Sequence, residues 1–174
     1  MIYLYYGDDA FTMQEQLGPI KEAVGPADLR DVNITDLDGT QLTLDELGAT
    51  CDTVPFLGEK RLVMVKGLLS QFEARASSRS RQRSAPDRTP GLGQWEGLPD
   101  YLRKVPETTD LVFVEGRLGR ANPLLARIRS IVTVRTFPLP SPADLRHWIR
   151  RRATSKGVDI EPGAVNLLAE TIGG

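Results

Sequence analysis

The spacing of apolar and polar positions changes several times along the chain, and each change predicts an element. Short apolar runs at residues 2–6, 62–65 and 111–114 are rich in β-branched and aromatic side chains, a pattern typical of strands buried on both faces. Residues 29–37 and 131–137 are less strictly apolar and are also predicted to be strands. Together the five segments predict a mainly parallel sheet.

Helical spacing occupies the segments between these strands. Residues 10–24 have apolar side chains three and four apart and contain Pro19, which is expected to bend or split the helix. Thr43 begins a short acidic helix, and Asn122 followed by proline begins another. Because strands and helices alternate, the chain predicts an α/β domain at residues 1–140, with helices covering the sheet.

Prolines at positions 138, 140 and 142 mark a predicted domain border. The remaining residues, 141–174, are predicted to form two helices, the beginning of a small helical second domain. The apolar face of the second helix is predicted to contain Ala164, Leu167, Leu168 and Ile172. Two short helices cannot bury their apolar faces unaided, so we expect this sequence to be a truncated part of a longer protein.

The amino-acid composition narrows the classes of function that this protein could have. The 174 residues are 40% hydrophobic and 26% charged with a formal net charge of −1, so no global charge excess indicates nucleic acid or a membrane. A single cysteine and the absence of a leader pattern favour a cytoplasmic protein. Residues 73–94 combine arginines with Ser, Pro and Gly and are predicted to be a disordered insertion. The alternative is an arginine arm that contacts nucleic-acid phosphates.

Candidate chemistry is sparse. The loop after the first predicted strand, residues 7–12 (GDDAFT), lies where a nucleotide-binding α/β domain keeps its phosphate loop, but it has no lysine and contains two carboxylates, so ATP binding there is not favoured. His147 is the only histidine and is expected on a helix surface. Cys51 is expected to be a buried structural thiol. We therefore predict no catalytic residue, no metal site and no cofactor.

Residues 54–57 (VPFL) are the most informative segment. They place Val54, Phe56 and Leu57 around a proline, just before Gly58 and a fully apolar strand. These side chains could pack under the sheet, as most apolar runs do. Alternatively, an exposed aromatic and aliphatic pair at a helix end would fit a hydrophobic pocket on another protein. The pattern alone leaves both interpretations open.

Six segments in this order resemble the delta subunit of the bacterial DNA polymerase III clamp loader. They are residues 3–9 (YLYYGDD), 53–58 (TVPFLG) with 60–65 (KRLVMV), 109–114 (TDLVFV), and 137–140 (FPLP) leading to 145–149 (LRHWI). The resemblance covers essentially the whole chain except the arginine-rich insertion. It implies an AAA+-like fold, similar to P-loop NTPases, in which the phosphate loop has been lost.

The resemblance implies a mechanical function in DNA replication. Such a subunit binds one protomer of the ring-shaped beta sliding clamp and helps to open the ring for loading onto primed DNA. Its clamp-binding pair matches Phe56 and Leu57, with Val54 beside them; this chain has Pro55 and places phenylalanine before leucine. The implied partners are the clamp, the gamma/tau ATPase subunits, delta prime and primed DNA, in a cytoplasmic, nucleoid-associated replisome. No membrane is implied.

Two other classes of function remain open. One is a nucleotide-dependent enzyme with an atypical phosphate site. The other is a nucleic-acid binding module that uses the arginine-rich loop and the basic helix of the second domain. The candidate DNA or partner contacts are then Arg79, Arg81, Arg83, Arg150 and Arg151.

Overall fold

A computed structural model describes residues 1–73 and 91–172. Five parallel strands form one sheet in the order β2-β3-β4-β1-β5. The strands are β1 (Ile2–Tyr6), β2 (Ile34–Asp38), β3 (Arg61–Lys66), β4 (Thr109–Glu115) and β5 (Thr133–Thr136). The helices are α1 (Ala10–Glu22), α2 (Ala27–Asn33), α3 (Leu44–Cys51), α4 (Leu98–Leu102), α5 (Pro123–Ile128), α6 (Pro142–Ser155) and α7 (Pro162–Ile172). The predicted α/β fold with a parallel sheet is confirmed.

Helices cover both faces of the sheet because successive side chains of a strand point in opposite directions. On one face, Leu4, Val63 and Phe113 belong to a cluster that includes buried residues of α3, α4 and α5. On the other face, Tyr5 and Met64 pack with the buried residues of α1. The central strands are thus buried on both sides, which explains why their sequences are continuously apolar.

Helix starts follow the predicted caps. Thr43 and Glu46 form a reciprocal capping box at α3. The Asn122 side chain accepts hydrogen bonds from two backbone amides of α5, with Pro123 as the first helical residue. The predicted split at Pro19 is not observed, because α1 continues through that residue to Glu22.

Contacts divide the chain into two units, Met1–Phe137 and Pro138–Gly174. In the second unit, Leu145 and Ile149 of α6 pack with Val165 and Ala169 of α7. The predicted apolar face of α7 is wrong over the part of the helix whose side chains are described. The residues that pack against α6 lie one position further along the helix than predicted. The predicted residues are exposed, namely Ala164, Leu167 and Leu168. Apolar residues lie on both faces of α7, so apolar spacing alone could not show which face packs against α6.

The predicted second strand is wrong in its first half. Residues 29–33 belong to α2, and the strand begins at Ile34. The helix begins after Pro26, and the Arg30 side chain donates a hydrogen bond to the Gly25 carbonyl at 2.8 Å. A five-residue segment is too short for apolar spacing to separate helix from strand. The boundary between α2 and β2 at Asn33 was therefore not predicted.

The predicted insertion at residues 73–94 is too wide at both ends. The Glu73 carboxylate accepts hydrogen bonds from the Gly119 amide and the Asn122 side chain, at 2.9 and 2.8 Å. Leu92 is buried, and Gln94 accepts a hydrogen bond from the Leu44 amide. These end residues therefore pack against the α/β unit. The rest of the predicted insertion, residues 74–90, lies outside the described part of the chain.

Candidate functional site

Three apolar side chains project from the loop between α3 and β3. We call residues 53–58 the apolar loop. Val54 is 81% exposed, Phe56 56% and Leu57 77%. The interpretation in which these residues pack under the sheet is therefore excluded. Exposed apolar side chains that adjoin one another are typical of a surface that binds another protein.

The start of the apolar loop is fixed by the end of α3. Cys51 is buried, and its carbonyl accepts a hydrogen bond from Thr109 Oγ1 of β4 at 2.7 Å. Thr53 Oγ1 donates to the Ala49 carbonyl at 2.8 Å. Burial raises the pKa of the Cys51 thiol to about 11, so the thiol stays protonated at neutral pH and has the structural character predicted for it.

A buried arginine joins the apolar loop to the sheet. Arg61, the first residue of β3, donates from Nη1 to the Thr53 carbonyl at 3.0 Å and from Nη2 to Thr35 Oγ1 of β2 at 3.2 Å. Its Nε is buried and has no hydrogen-bond partner within the described ranges. An unpaired buried donor is costly, so the other two bonds must offset that cost. Two strands and the loop are thereby connected through one side chain.

The centre of the apolar loop is held by Asn33, the last residue of α2. Its Nδ2 donates to the Phe56 carbonyl at 2.9 Å, and its Oδ1 accepts from the Phe56 amide at 2.7 Å. Leu57 then has a φ of +50°, a left-handed conformation that is unfavourable for a leucine. Tertiary contacts, and not local preference, therefore determine this backbone.

The apolar loop lies at the amino-terminal edge of the parallel sheet. Its anchor Arg61 is the first residue of β3, and its other anchor, Asn33, directly precedes β2. Thr109, which holds the end of α3, is the first residue of β4. Nucleotides bind open parallel sheets at the opposite edge, where the strands end. Gly7 lies at that carboxyl-terminal edge, directly after β1. The two candidate regions are therefore separated by the length of the strands.

The backbone of the loop at Gly7 is engaged within the unit. The Gly7 amide donates to the Gly116 carbonyl at 3.1 Å, and the Asp9 amide donates to the Phe137 carbonyl at 2.9 Å. The Asp9 carboxylate accepts a hydrogen bond from the Thr12 amide at 2.9 Å and so caps α1. A phosphate loop needs such amides free to face the anion. Here a carboxylate occupies the position at the helix start.

Comparison with known proteins shows what the segment around the apolar loop is similar to. A family model described as DNA polymerase III, delta subunit matches residues 3–84, the segment that contains the apolar loop and both of its side-chain anchors, Asn33 and Arg61. Over residues 3–84, the chain is similar to the DNA polymerase III delta-subunit family. The family resemblance drawn from the sequence is thereby confirmed.

Individual relatives of this delta-subunit family agree. The DNA polymerase III subunit delta of Bacillus subtilis is 35% identical over 65 residues, which is 37% of this chain and 19% of that protein. The structure of the Bacillus subtilis DNA clamp loader delta protein matches with a TM-score of 0.69 at 20% identity, covering 96% of this chain and 47% of that chain. This chain thus spans about half the length of its structural relative.

A third comparison extends the likeness of fold. A DNA polymerase III gamma subunit-related protein from Thermotoga maritima matches with a TM-score of 0.52 at 16% identity, over 87% of this chain and 45% of that one. At such identities the likeness concerns the fold alone. The predicted AAA+-like architecture, a mainly parallel sheet flanked by helices, is confirmed as a likeness of fold to both solved structures.

The other predicted site residues lie in the second unit or outside the described part of the chain. Arg150 and Arg151 lie exposed on α6 of the second unit, as does His147, whereas Arg79, Arg81 and Arg83 lie outside the described residues. Among residues 1–73 and 91–172, no cluster of His, Cys, Asp or Glu has the arrangement of a metal site. No helix in those ranges is long and apolar enough to cross a bilayer.

Sequence reasoning missed both side chains that hold the apolar loop. Asn33 is only 2% exposed, yet in the sequence it resembles any polar residue near a strand start. Arg61 carried a usable signal, because a charged residue directly before a strand buried on both faces needs nearby carbonyl or hydroxyl partners. Which loop supplies those partners could not be deduced from spacing.

Proposed function

We propose that the chain is the amino-terminal part of a clamp-loader delta subunit and that its apolar loop binds the beta sliding clamp. The observation that carries this proposal is the exposure of Val54, Phe56 and Leu57 on a backbone held by buried side chains. A small apolar anchor with an aromatic residue is the type of feature that dominates binding energy at protein interfaces. The family match over residues 3–84 supports the choice of partner.

The geometry suits a mechanical function. Force applied at the apolar loop is transmitted to β2 and β3 through Asn33 and Arg61. The end of α3, just before the loop, is held to β4 by Thr109. A partner that docks on this loop therefore contacts a rigid sheet. In the proposed mechanism, docking on one protomer of the clamp favours the open form of the ring, because the loop binds that form more tightly.

The remaining functions are proposed from the family resemblance. We place the gamma/tau ATPase subunits, delta prime and primed DNA among the partners of the complete protein, in the cytoplasmic replisome. The chain would be an accessory subunit of the polymerase holoenzyme with no catalytic step of its own. The exposed Arg150 and Arg151 are the described candidates for contact with DNA or an acidic partner.

Binding to the clamp is tested directly with the purified chain and the beta clamp of the same organism. We expect a complex by size-exclusion chromatography and a saturable signal by surface plasmon resonance at micromolar concentrations. A peptide with the sequence of residues 51–60 should compete only weakly, because it lacks Asn33 and must be ordered on binding. If no complex forms at these concentrations, the proposal is rejected.

The enzyme alternative is tested by calorimetry with ATP and magnesium. We expect no saturable heat, because the amides of Gly7 and Asp9 already donate to the backbone and the Asp9 carboxylate would repel phosphate. A parallel titration of an ATP-binding clamp-loader subunit provides the positive control. Tight stoichiometric binding of ATP to this chain would favour the nucleotide-dependent alternative.

A further inference from the structure

The Asn33 side chain uses both of its polar atoms on one residue of the apolar loop. The donor and the acceptor of its amide pair with the carbonyl and the amide of Phe56, at 2.9 and 2.7 Å, across 23 positions of sequence. Asn33 itself is buried, whereas the Phe56 side chain is more than half exposed. The bond pair therefore fixes the backbone of a residue whose side chain is directed to solvent.

The neighbours of Phe56 would not adopt this conformation by themselves. Leu57 has a positive φ, a conformation that is unfavourable for a leucine. Gly58 leaves room for the Asn33 amide, because a Cβ at position 58 would come within 3.3 Å of Nδ2. Strain of this kind persists only where the surrounding structure imposes it, and it occurs most often at functional sites.

We infer that Asn33 is a positioning residue that holds the apolar loop in its binding conformation before the partner arrives. This inference rests on the proposed function, in which the beta clamp is that partner. Ordering a loop during association lowers affinity, and a loop ordered in advance avoids that loss. Asn33 makes no part of the exposed apolar surface, so its contribution is conformational.

A positioning residue and a contact residue have different kinetic signatures. Without Asn33, only a fraction of molecules has the binding-competent loop, so the association rate constant falls by that fraction. The complex, once formed, retains its apolar contacts, so the dissociation rate constant changes little. Removal of a contact side chain mainly accelerates dissociation.

The test is the binding kinetics of Asn33→Ala against the beta clamp by surface plasmon resonance. We expect the association rate constant to fall about tenfold, the size of effect that two lost hydrogen bonds produce, with the dissociation rate constant within about twofold of wild type. Phe56→Ala should show the opposite pattern. If Asn33→Ala accelerates dissociation or leaves both constants unchanged, the positioning function is rejected.

Asn122→Ala is the matched control. Asn122 is also a buried asparagine of the α/β unit whose amide bonds backbone groups, but those groups belong to Leu69, Leu124 and Leu125. We expect it to lower stability without changing either rate constant per folded molecule. A general loss of stability would affect association equally in both variants, and that result would contradict the inference.

Amide exchange and a second variant keep the inference testable in every case. The Phe56 amide of the wild-type chain should be protected although the loop is exposed, and fast unprotected exchange would contradict the inference even if the clamp does not bind. Asn33→Asp keeps the side-chain shape and the acceptor but removes the donor, so it replaces Asn33→Ala if that variant does not fold. If the wild-type chain binds the clamp and the Asn33 variants bind it with unchanged rate constants, this inference is rejected and the proposed function is not.

Discussion

Replacing Phe56 and Leu57 together by alanine is expected to abolish measurable binding to the beta clamp. Both side chains are mostly exposed in the free chain and would become buried in a pocket of the partner. Buried anchors of this type cost at least about 2 kcal/mol each when truncated, so the dissociation constant should rise at least about 100-fold. Surface plasmon resonance with the immobilised clamp measures the change.

The same double substitution should leave the fold almost unchanged. Exposed side chains away from special features alter the free energy of unfolding by no more than about 0.5 kcal/mol, whereas a buried Phe or Leu truncated to Ala costs about 2 to 5 kcal/mol. Urea denaturation of wild type and variant separates the two cases. A large loss of stability would mean that the side chains pack inside the protein in solution.

A control with similar lost apolar surface is available in the second unit. Leu167 and Leu168 of α7 are also exposed, at 67% and 40%. Leu167→Ala combined with Leu168→Ala removes aliphatic surface without touching the apolar loop, and we expect clamp binding to be retained. Equal losses in both double variants would indicate non-specific hydrophobic association, and the proposed site would then be wrong.

Gly7→Ala is expected to destabilise the α/β unit by at least about 3 kcal/mol. Gly7 has a φ of +145°, a conformation essentially confined to glycine. A Cβ at this position would lie 2.1 Å from the Phe137 carbonyl oxygen and 2.8 Å from the Phe137 nitrogen. Both are backbone atoms next to β5, so they cannot rotate away as a flexible side chain could. Chemical denaturation measures the loss.

Gly18→Ala is the control for this substitution. Gly18 lies within α1, and a Cβ there would meet no atom within 4 Å. The usual gain of about 0.5–1 kcal/mol on replacing a helical glycine by alanine is opposed by Pro19, whose ring crowds the Cβ of the preceding residue. We therefore expect the free energy of unfolding to change by no more than about 1 kcal/mol. If Gly7→Ala behaved like Gly18→Ala, the loop at Gly7 would be open in solution, and the argument against a phosphate site there would fail.

The elements that were predicted well are those with strong local signals. The continuous apolar runs of β1, β3 and β4 and the caps at Thr43 and Asn122 depend on side chains within a few residues of one another. The α2–β2 boundary was missed because its decisive contact, Asn33 with Phe56, joins residues 23 positions apart. Neither local spacing nor propensity contains that pairing.

In the apolar loop too, some features depend on neighbouring residues and others on contacts distant in sequence. The sequence alone determined that aromatic and aliphatic side chains lie next to a proline, between a helix and a fully buried strand. It did not determine whether those side chains are buried or exposed. Tertiary structure alone decided that they are exposed. Arg61 and Asn33 reach the loop from β3 and the end of α2, and Thr109 of β4 holds the end of α3 just before the loop. Only folding brings those three side chains to one edge of the sheet. The two hydrogen bonds between Asn33 and Phe56 hold the backbone beside Leu57, whose φ is positive, and the apolar side chains are exposed to solvent.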